Sequence, residues 1–600
     1  MLAGYKPAES RLQPKLAALP GLLKQLLMES KAARFSWAEL AGVLAAYLLI
    51  VLVLCPGNSL IGFPVQRDDF SLLSWDWSSL RMLWAKGWPP RPVSELVWTA
   101  LSRAGLPAYY LALQALVVLY AFLALTVLRK LLGARPMGIL FGILVAAAAL
   151  SLECVVEYSK YTGLITSLLS GVFALAAMAL MAGEGERLRA PVMVAVWGLA
   201  ALSFWSKEDF ILPTILLASY FAWEARGTAR GNRWFALAAG VLLLAALLAL
   251  YNRSGHSPFT EGSTGTYKRD LSPLSIYRTG VLYLFMSPVA TLATALQASM
   301  LIWNLIGPAP VRWMRLALVQ VLILLLLLPY CALPQHTAFY YVFNWVVWQI
   351  GAALILLWSV SGRAAVRWAV AAIAVLCIAT GQPGRRNIAQ WYRNAEQVNR
   401  NVLATLTKNA DAMRPFQTVV IEGAPFLSPF ESDGRFLSMR YGLDHDWMVR
   451  VPRDSDTYRT TEQLRAQTLG RVRTVAMEEV PRPAGAPVLR LSADGTGVLD
   501  LPSSQVRVDR VHPGSTAAGV GFQIQPNGQS AIAVEGAHFQ PGAIVLFNGR
   551  DLKTTYGNPG FLSALVPDES IAQEGTIKVR VRNANGDASN EIEFHVRAKP

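Results

Sequence analysis

The feature that most constrains the fold is a series of long apolar runs that recurs from residue 38 to residue 380. Several of these runs reach the ~18 residues that an α-helix needs to cross the hydrocarbon core of a bilayer. Charged residues make up only 16% of the chain, against about 25% in an average soluble protein. The sequence therefore predicts a multi-span α-helical membrane protein over most of its length.

Hydropathy places about eleven spans in this region, separated by polar connectors, the first of which is a long predicted outer loop at about 56–107. We predict them at 38–55, 108–128, 137–153, 162–182, 191–205, 210–224, 234–251, 279–303, 316–333, 338–360 and 367–380. Lys and Arg are concentrated in the first 36 residues and in every second connector, as positively charged cytoplasmic loops require. We therefore expect the N-terminus in the cytoplasm and all residues after 380 on the outer face.

Charge and cysteine content exclude two other classes of protein. The net charge is +15, but the basic residues lie mainly in short connectors and no nucleic-acid-binding motif accompanies them, so nucleic acid is not an expected partner. The four cysteines form no CxxC motif and no Cys/His cluster, so no zinc site is indicated. A divalent metal is neither required nor excluded, and the cofactor is unknown.

The composition changes after residue 380. Apolar residues recur at helical spacing from Trp391 to Leu406, and "QTVVIEGAP" (417–425) has the pattern of a buried strand that ends in a turn. Short alternating strands punctuated by Gly, Pro and Asn then predict a β-sandwich. The predicted domains are a cytoplasmic segment 1–36, a transmembrane domain 37–380, a small extracytoplasmic α/β domain 381–505 and a β-sandwich 506–600.

The last strands carry a resemblance to a known fold family. The pattern "VEGAHFQPGAIVLFNG…VPDESIAQEGTIKVRVRNANGDASNEIEFHV" resembles the IPT/TIG family of immunoglobulin-like domains over about residues 508–597. The resemblance implies an immunoglobulin-like sandwich. It says little about function.

Two adjacent carboxylates, Asp68 and Asp69, follow the first apolar run. Acidic groups are costly beside a bilayer unless they face water or perform a function. A purely structural interpretation is that Asp69 caps an interfacial helix whose apolar face runs from Phe70 to Trp84. That interpretation accounts for one acid and does not exclude catalysis by the pair.

The acidic pair, an interfacial helix and Arg91-Pro92 before the second span together resemble the GT-C superfamily of membrane glycosyltransferases. This superfamily includes protein mannosyltransferases, aminoarabinose transferases and bacterial glucosyltransferases. The resemblance implies a GT-C-like fold, a polyprenyl-phosphate sugar donor, Asp68 as general base and Asp69 as its helper or as a contact to a metal or to the acceptor. It also implies that Arg91 binds substrate. A carboxylate base suits this chemistry, because an acceptor hydroxyl is a poor nucleophile.

A second segment, "LSFWSKEDFILP" (202–213), resembles the "SKE" stretch of the same superfamily. The resemblance implies that Lys207 contacts the donor phosphate and that Glu208 lies in the substrate site. A phosphodiester leaving group needs positive charge nearby. The alternative is a lysine that extends toward lipid headgroups and is paired with Glu208.

Three further candidates come from other predicted outer loops. The segment "VVEYSKYTG" (155–163) resembles the superfamily's second outer loop, and Lys160 fits its basic position, which implies a contact to the donor phosphate. Gly163 stands where relatives often have an acid, so Glu157 is the candidate to replace it. An ordinary polar turn between spans is the alternative for this segment. Arg269 lies in a basic loop that suits either a lipid-phosphate donor or lipid headgroups.

His336 and Tyr340 begin a predicted inward span in "PQHTAFYYVFNW" (334–345). In relatives such residues contact phosphate or sugar. The resemblance thus implies His336 as a donor-phosphate ligand and Tyr340 as a substrate contact. A lone interfacial histidine also fits a structural role.

The expected function is transfer of a sugar from a polyprenyl-phosphate donor to an acceptor hydroxyl on a glycan, lipid or protein. The expected location is the outer face of the bacterial cytoplasmic membrane, with the C-terminal domains in the periplasm or outside the cell. Two alternatives remain: an O-antigen-type polysaccharide polymerase or ligase, and a non-enzymatic transporter or scaffold. The first usually has its chemistry in a large late outer loop, and the second usually has mid-span charges and internal repeats.

Overall fold

The computed structural model describes most of the chain in two compact units. The units are Met1–Arg400 with Leu427–Phe436, and Asn401–Phe426 with Leu437–Pro600. The described residues are 37–65, 70, 77, 81, 91–134, 137–184, 188–228, 231–251, 270–306, 313–334, 338–360, 364–425, 428–431, 434–455, 458–459, 468–469, 471–483, 485–501, 506–584 and 586–599.

The first unit is helical. Its helices are α1 Trp37–Leu48, α2 Pro92–Ala104, α3 Leu106–Leu132, α4 Ile139–Ala149, α5 Val155–Tyr158, α6 Ile165–Glu184, α7 Ala190–Phe204, α8 Ile211–Glu224, α9 Gly231–Tyr251, α10 Pro273–Leu284, α11 Pro288–Ile306, α12 Trp313–Cys331, α13 Phe343–Val360 and α14 Ala364–Lys408. A π-helical turn at Leu49–Val53 extends α1, and 3₁₀ turns precede α6, α8 and α13.

Apolar helices make this chain a multi-pass membrane protein. Within the described part of the chain, six helices are long and apolar enough to cross a bilayer, or up to seven if one bent pair counts as a single span. The six are Leu106–Leu132, Thr162–Glu184, Gly231–Leu250, Trp313–Cys331, Tyr340–Ser359 and Ala364–Lys408. Shorter apolar helices are found at Trp37–Val53, Ile139–Ala149 and Ala190–Phe204.

Each of the eleven predicted spans coincides with helix, but two differ from expectation. The span predicted at 279–303 is a pair of helices, α10 and α11, that meet at an angle of 104°. The break contains Ser287-Pro288, and proline at the start of α11 ends the hydrogen-bond pattern of α10. The count of eleven spans and their orientation therefore stay predictions.

The last helix also differs from expectation. We predicted a span that ends at residue 380 and a separate amphipathic helix, but α14 is one continuous helix of 45 residues that runs through Pro383. Of the apolar face predicted from Trp391 to Leu406, Val402 and Leu406 are fully buried, whereas Trp391 is 45% exposed. The face that is buried contains Arg385, Tyr392 and Glu396.

Helix α2 lies in what we predicted to be a loop. Pro92 at its first turn is preorganised for helix, and Arg91 precedes it as the N-cap. The buried face of α2 is polar and carries Ser94, Glu95 and Thr99, whereas Leu96 is exposed. This inverted pattern fits a helix that packs its polar face on protein and turns its apolar side to lipid.

The second unit begins with an α/β part. Its six strands are β1 Thr418–Glu422, β2 Asp446–Val451, β3 Thr468–Leu469, β4 Val472–Ala476, β5 Val488–Leu491 and β6 Gly497–Asp500, in the sheet order β3-β4-β2-β1-β5-β6. The central strand β1 pairs in parallel with β2 and with β5. Its sequence TVVIE is apolar on both faces, as a central parallel strand requires. The strand predicted within residues 417–425 is therefore confirmed.

Two further sheets follow, antiparallel except for one edge strand that pairs in parallel, and they share one hydrophobic core. Their strands are β7 Arg507–His512, β8 Ser515–Ala517, β9 Ser530–Ala537, β10 Ile544–Phe547, β11 Arg550–Asp551, β12 Thr554–Asn558, β13 Phe561–Val566, β14 Gly575–Arg582 and β15 Ile592–Arg597. One sheet has the order β12-β13-β9-β7 and the other β11-β10-β14-β15-β8. A β-rich C-terminal region thus follows the helices, and its assignment to the IPT/TIG family stays a resemblance.

The boundary between the two units lies at residue 400, whereas the predicted membrane domain ends at 380. The α/β part and the two-sheet part belong to one unit. The four-domain division remains a prediction about how the chain is built.

Candidate functional site

The two acids at the centre of the predicted site lie outside the described residues, as do Arg269 and His336. The chain is well packed on both sides of Asp68 and Asp69. Val65 and Phe70 are fully buried. The ring of Phe70 meets that of Phe436 edge-on at 5.1 Å.

Lys207 lies in the turn between α7 and α8, and its ammonium is held in place by three neighbours. Its Nζ lies 3.0 Å from Asp209 Oδ2 and donates a 2.6 Å hydrogen bond to Ser167 Oγ. It also lies 5.7 Å from the centre of the Tyr330 ring. The side chain is 14% exposed. The ammonium is thus fixed at the end of the apolar helices rather than extended into solvent.

The ion pairs around this turn differ from the predicted one. We considered Glu208 as the partner of Lys207, but the partner is Asp209, and Glu208 pairs with Arg91 at 3.5 Å. Sequence reasoning missed Asp209. The available signal was its position two residues after Lys207, because Lys207 has an extended backbone and residues i and i+2 of an extended segment share one side.

Helix α2 is tied to the same turn. Ser94 Oγ donates a 3.0 Å hydrogen bond to the Ser206 carbonyl oxygen. Arg91, the residue just before α2, donates a hydrogen bond to Glu208. Burial raises the pKa of Glu208. Burial also raises the pKa of Glu95 to about 7, against a smaller lowering by Arg91. This part of the site therefore combines two cations with carboxyl groups that resist ionisation.

Lys160 forms a second cluster. Its side chain is 3% exposed, and its Nζ donates hydrogen bonds of 2.9 Å to Glu396 Oε1 and 3.2 Å to Ser59 Oγ. Burial lowers the pKa of Lys160, and the charge of Glu396 opposes that shift. Sequence reasoning missed Glu396, because the two residues are 236 positions apart. The signal for it was an acid on an otherwise basic helical stretch.

The aromatic residues near the second outer loop pack on one another. Tyr158 donates a 3.2 Å hydrogen bond to the Tyr340 carbonyl oxygen and stacks on Phe343 at 4.1 Å. The Tyr340 ring meets that of Tyr161 edge-on at 6.1 Å. Glu157, on the same short helix, is half-buried, and burial raises its pKa to about 7.

These contacts join loops that are far apart in sequence. The Tyr330 ring beside Lys207 stacks on Tyr341 at 4.1 Å, and Tyr341 contacts the ring of Tyr340. Tyr340 is the residue to which Tyr158 donates its hydrogen bond, so aromatic contacts join the second outer loop to the Lys207 turn. The structure thus places six of the predicted site residues at helix ends: Lys207, Lys160, Arg91, Glu208, Glu157 and Tyr340. Over the described ranges, no three His, Cys, Asp or Glu side chains form a group that could hold a metal ion.

Comparisons with known proteins give one structural match. No protein-family profile and no curated protein matches the sequence. The fold is similar to that in the crystal structure of ArnT from Cupriavidus metallidurans bound to undecaprenyl phosphate. The match has a TM-score of 0.37 and 15% sequence identity, and it covers 75% of this chain and 92% of that chain. At this level of similarity we draw no functional conclusion from it.

Proposed function

We propose that the protein is an integral membrane glycosyltransferase of the GT-C type. It moves a sugar from a polyprenyl-phosphate donor to an acceptor hydroxyl on a glycan, lipid or protein. The reaction takes place at the outer face of the bacterial cytoplasmic membrane. The C-terminal domains lie in the periplasm or outside the cell.

The observation that carries the proposal is the arrangement around Lys207. Lys207, in the turn between α7 and α8, has a buried and fixed ammonium. The next residue, Glu208, pairs with the guanidinium of Arg91 at the start of α2, so the two cations lie near each other. This position, at the ends of apolar helices, is where the headgroup of a membrane lipid comes to rest. A lipid phosphate brought there would meet positive charge that needs no rearrangement.

The two cations suit a phosphate in different ways. Arg91 precedes the first turn of α2, so a phosphate beside it also lies near the positive end of that helix dipole. The Lys207 ammonium supplies a point charge, with Asp209 and Ser167 fixing its direction. As the glycosidic bond breaks, negative charge grows on the departing phosphate, and both groups stabilise it.

The proposed chemistry is an inverting transfer with Asp68 as general base. Asp68 takes the proton of the acceptor hydroxyl, and the acceptor oxygen attacks the anomeric carbon of the donor sugar. The bond between that carbon and the phosphate oxygen breaks, and its electron pair leaves with the polyprenyl phosphate. Asp69 orients the acceptor or Asp68. The support for these roles is the sequence resemblance, together with the burial of Val65 and Phe70 on either side of the pair.

Transfer from lipid-linked sugars tests the proposal directly. The purified full chain in nanodiscs is supplied with a panel of radiolabelled polyprenyl-phosphate sugars and with surface glycans extracted from the host. The expected result is movement of label from the lipid to the glycan fraction for one sugar of the panel. The absence of transfer from every donor, with a known membrane glycosyltransferase active in the same nanodiscs, would overturn the proposal.

The same assay separates the competing functions. A polymerase or ligase would join preassembled glycan chains and would leave single lipid-linked sugars unused. A transporter would move a labelled lipid across the bilayer without releasing its sugar. Release of polyprenyl phosphate in proportion to the sugar transferred is the outcome that only the glycosyltransferase gives.

A further inference from the structure

We propose that the polar face of α14 holds the first outer loop in place and that Glu396 is its central positioning residue. The first outer loop is defined here as residues 56–65, which lead directly to Asp68 and Asp69. The inference extends the proposed function, because it names the residues that place the catalytic segment. The hold itself does not depend on which reaction that segment performs.

Side chains of α14 contact this part of the chain at successive points. Gln382 donates a hydrogen bond to the Leu54 carbonyl oxygen, just before the loop. About three helical turns further on, Arg393 Nη1 donates a 2.7 Å hydrogen bond to the Pro56 carbonyl oxygen. Both hydrogen bonds are made to backbone carbonyl oxygens. They therefore fix the path of the chain whatever side chains it carries at these positions.

Glu396 holds the middle of the loop. Its carboxylate accepts the 2.9 Å hydrogen bond from Lys160, whose ammonium also donates to Ser59 Oγ in the loop. The side chains of Lys160 and Glu396 are 3% and 10% exposed. A buried ion pair depends strongly on geometry, so Lys160 and Glu396 fix each other and, through Ser59, the loop.

Gly62 shows how closely the loop is held. A Cβ atom at Gly62 would lie 2.9 Å from the Tyr110 ring and 3.2 Å from Glu396 Oε1. Any side chain there would push the loop away from α14. Beyond it, the Arg400 guanidinium lies 4.3 Å from the centre of the Phe63 ring, which is cation–π contact distance.

The alternative role for Lys160, as a donor-phosphate ligand, competes with this one. The Lys160 ammonium uses two of its three donors on Glu396 and Ser59, and its side chain is 3% exposed against 14% for Lys207, so Lys160 is the less accessible of the two lysines to a phosphate. Holding the loop therefore accounts for the contacts of Lys160 more fully than binding a phosphate does.

Hydrogen–deuterium exchange of the full chain in nanodiscs tests the hold without any assay of activity. Glu396→Ala and Arg393→Gln should each raise exchange of peptides covering 56–65 by about tenfold, the cost of one lost hydrogen bond to a charged group. Glu396→Gln keeps the size and the acceptor oxygen and should restore most of the protection. Asn387→Ala, an exposed change on the same helix, is the matched control and should leave exchange unchanged.

Two results would overturn the inference. One is unchanged exchange in 56–65 for Glu396→Ala and Arg393→Gln in folded protein. The other is a uniform rise across all helices with no rescue by Glu396→Gln, which would indicate a general loss of stability. If Glu396→Ala does not fold, Arg393→Gln and Gly62→Ala decide the question, since both disturb the loop without leaving a buried charge unpaired.

Turnover adds a readout that is tied to the proposed function. Loosening the loop should lower kcat about tenfold or more and leave the KM for the donor unchanged, because the donor phosphate is assigned to Lys207 and Arg91. If wild type transfers no sugar but the exchange result holds, the proposed function fails and the hold stands. If wild type is active and Glu396→Ala keeps its kcat, the hold does not position the catalytic segment.

Discussion

At the scale of single residues, Lys207 shows what a linear pattern can and cannot give. The segment "SFWSKED" (203–209) marked Lys207 as a candidate. The structure places Lys207 at a helix end with a fixed ammonium. The choice between Glu208 and Asp209 as its partner depends on the direction of each side chain in the 3₁₀ turn. Hydropathy carries no information about that direction.

Lys207→Ala should cut sugar transfer ~100-fold, if one charged contact worth roughly 3 kcal/mol is lost in the transition state. The change also leaves Asp209 without its cation, so a control is needed for stability. Lys207→Ala combined with Asp209→Asn removes that unpaired charge and should remain as inactive as the single variant. Initial rates with saturating acceptor measure this. Wild-type rates in either variant would make Lys207 a structural residue only.

Glu95 gives a prediction about pH. Burial raises its pKa from 4.5 to about 7, so between these values the folded protein keeps a proton that the unfolded chain has lost. The stability from this group is therefore complete below about pH 4.5 and is lost as the pH rises through 7. Glu95→Gln is neutral at every pH and should melt at a higher temperature than wild type above pH 7. The two should converge near pH 4.5.

Melting curves of both proteins between pH 4.5 and pH 8 measure the effect. Glu574→Gln, a change at an exposed acid in the second unit, is the control for a general effect of removing one negative charge. A Glu95→Gln protein that parallels wild type over the whole range would mean that Glu95 ionises normally in the folded state.

At the scale of elements, the positions of the helices could be predicted and their continuity could not. Apolar runs predicted where each helix lies, because a chain in lipid must satisfy its backbone hydrogen bonds internally. The α-helix is one of the few structures that does so. The single helix through Pro383 and the 104° bend between α10 and α11 depend on neighbouring helices that replace lost hydrogen bonds. Such contacts are long-range, and a local pattern does not contain them.

Close packing of α14 gives a prediction at this scale. A Cβ atom at Gly381 would lie 2.1 Å from the Ser151 carbonyl oxygen, so Gly381→Ala should destabilise the protein although alanine favours helix. The matched control is Gly198→Ala in α7, where a Cβ meets nothing within 4 Å. That variant should be neutral or more stable by about 0.5–1 kcal/mol. Thermal melts in one detergent compare them, and equal melting temperatures would contradict the packing of α14 on Ser151.

At the scale of the whole molecule, the sequence predicted a helical membrane region followed by β-rich structure, and both are present. The alternation of strands in the last ninety or so residues was readable because each strand has one buried face. The end of the first unit could not be predicted in this way, because α14 changes from apolar to polar without breaking. A change in composition thus marks where this helix becomes polar and not where the unit ends.

Topology can be tested with the whole chain. The four native cysteines are buried, so an introduced cysteine dominates labelling by an impermeant maleimide. Gln573→Cys, on the exposed surface of the second unit, should react in intact spheroplasts. Thr228→Cys, in a predicted cytoplasmic connector, should react only after the membrane is permeabilised. The reverse pattern would invert the orientation, and equal labelling of both would contradict the predicted arrangement.

The acid pair decides the central claim most directly. Sugar transfer and donor binding are measured together for wild type, Asp68→Asn and Asp69→Asn in nanodiscs. Asparagine keeps the size of the side chain and can still cap a helix, but it takes no proton from a hydroxyl. We expect Asp68→Asn to bind donor and transfer no sugar, with Asp69→Asn impaired but active. An inactive Asp69→Asn beside an active Asp68→Asn would exchange the two roles. Wild-type transfer in both variants would contradict a catalytic role for the pair and remove the main support for a glycosyltransferase.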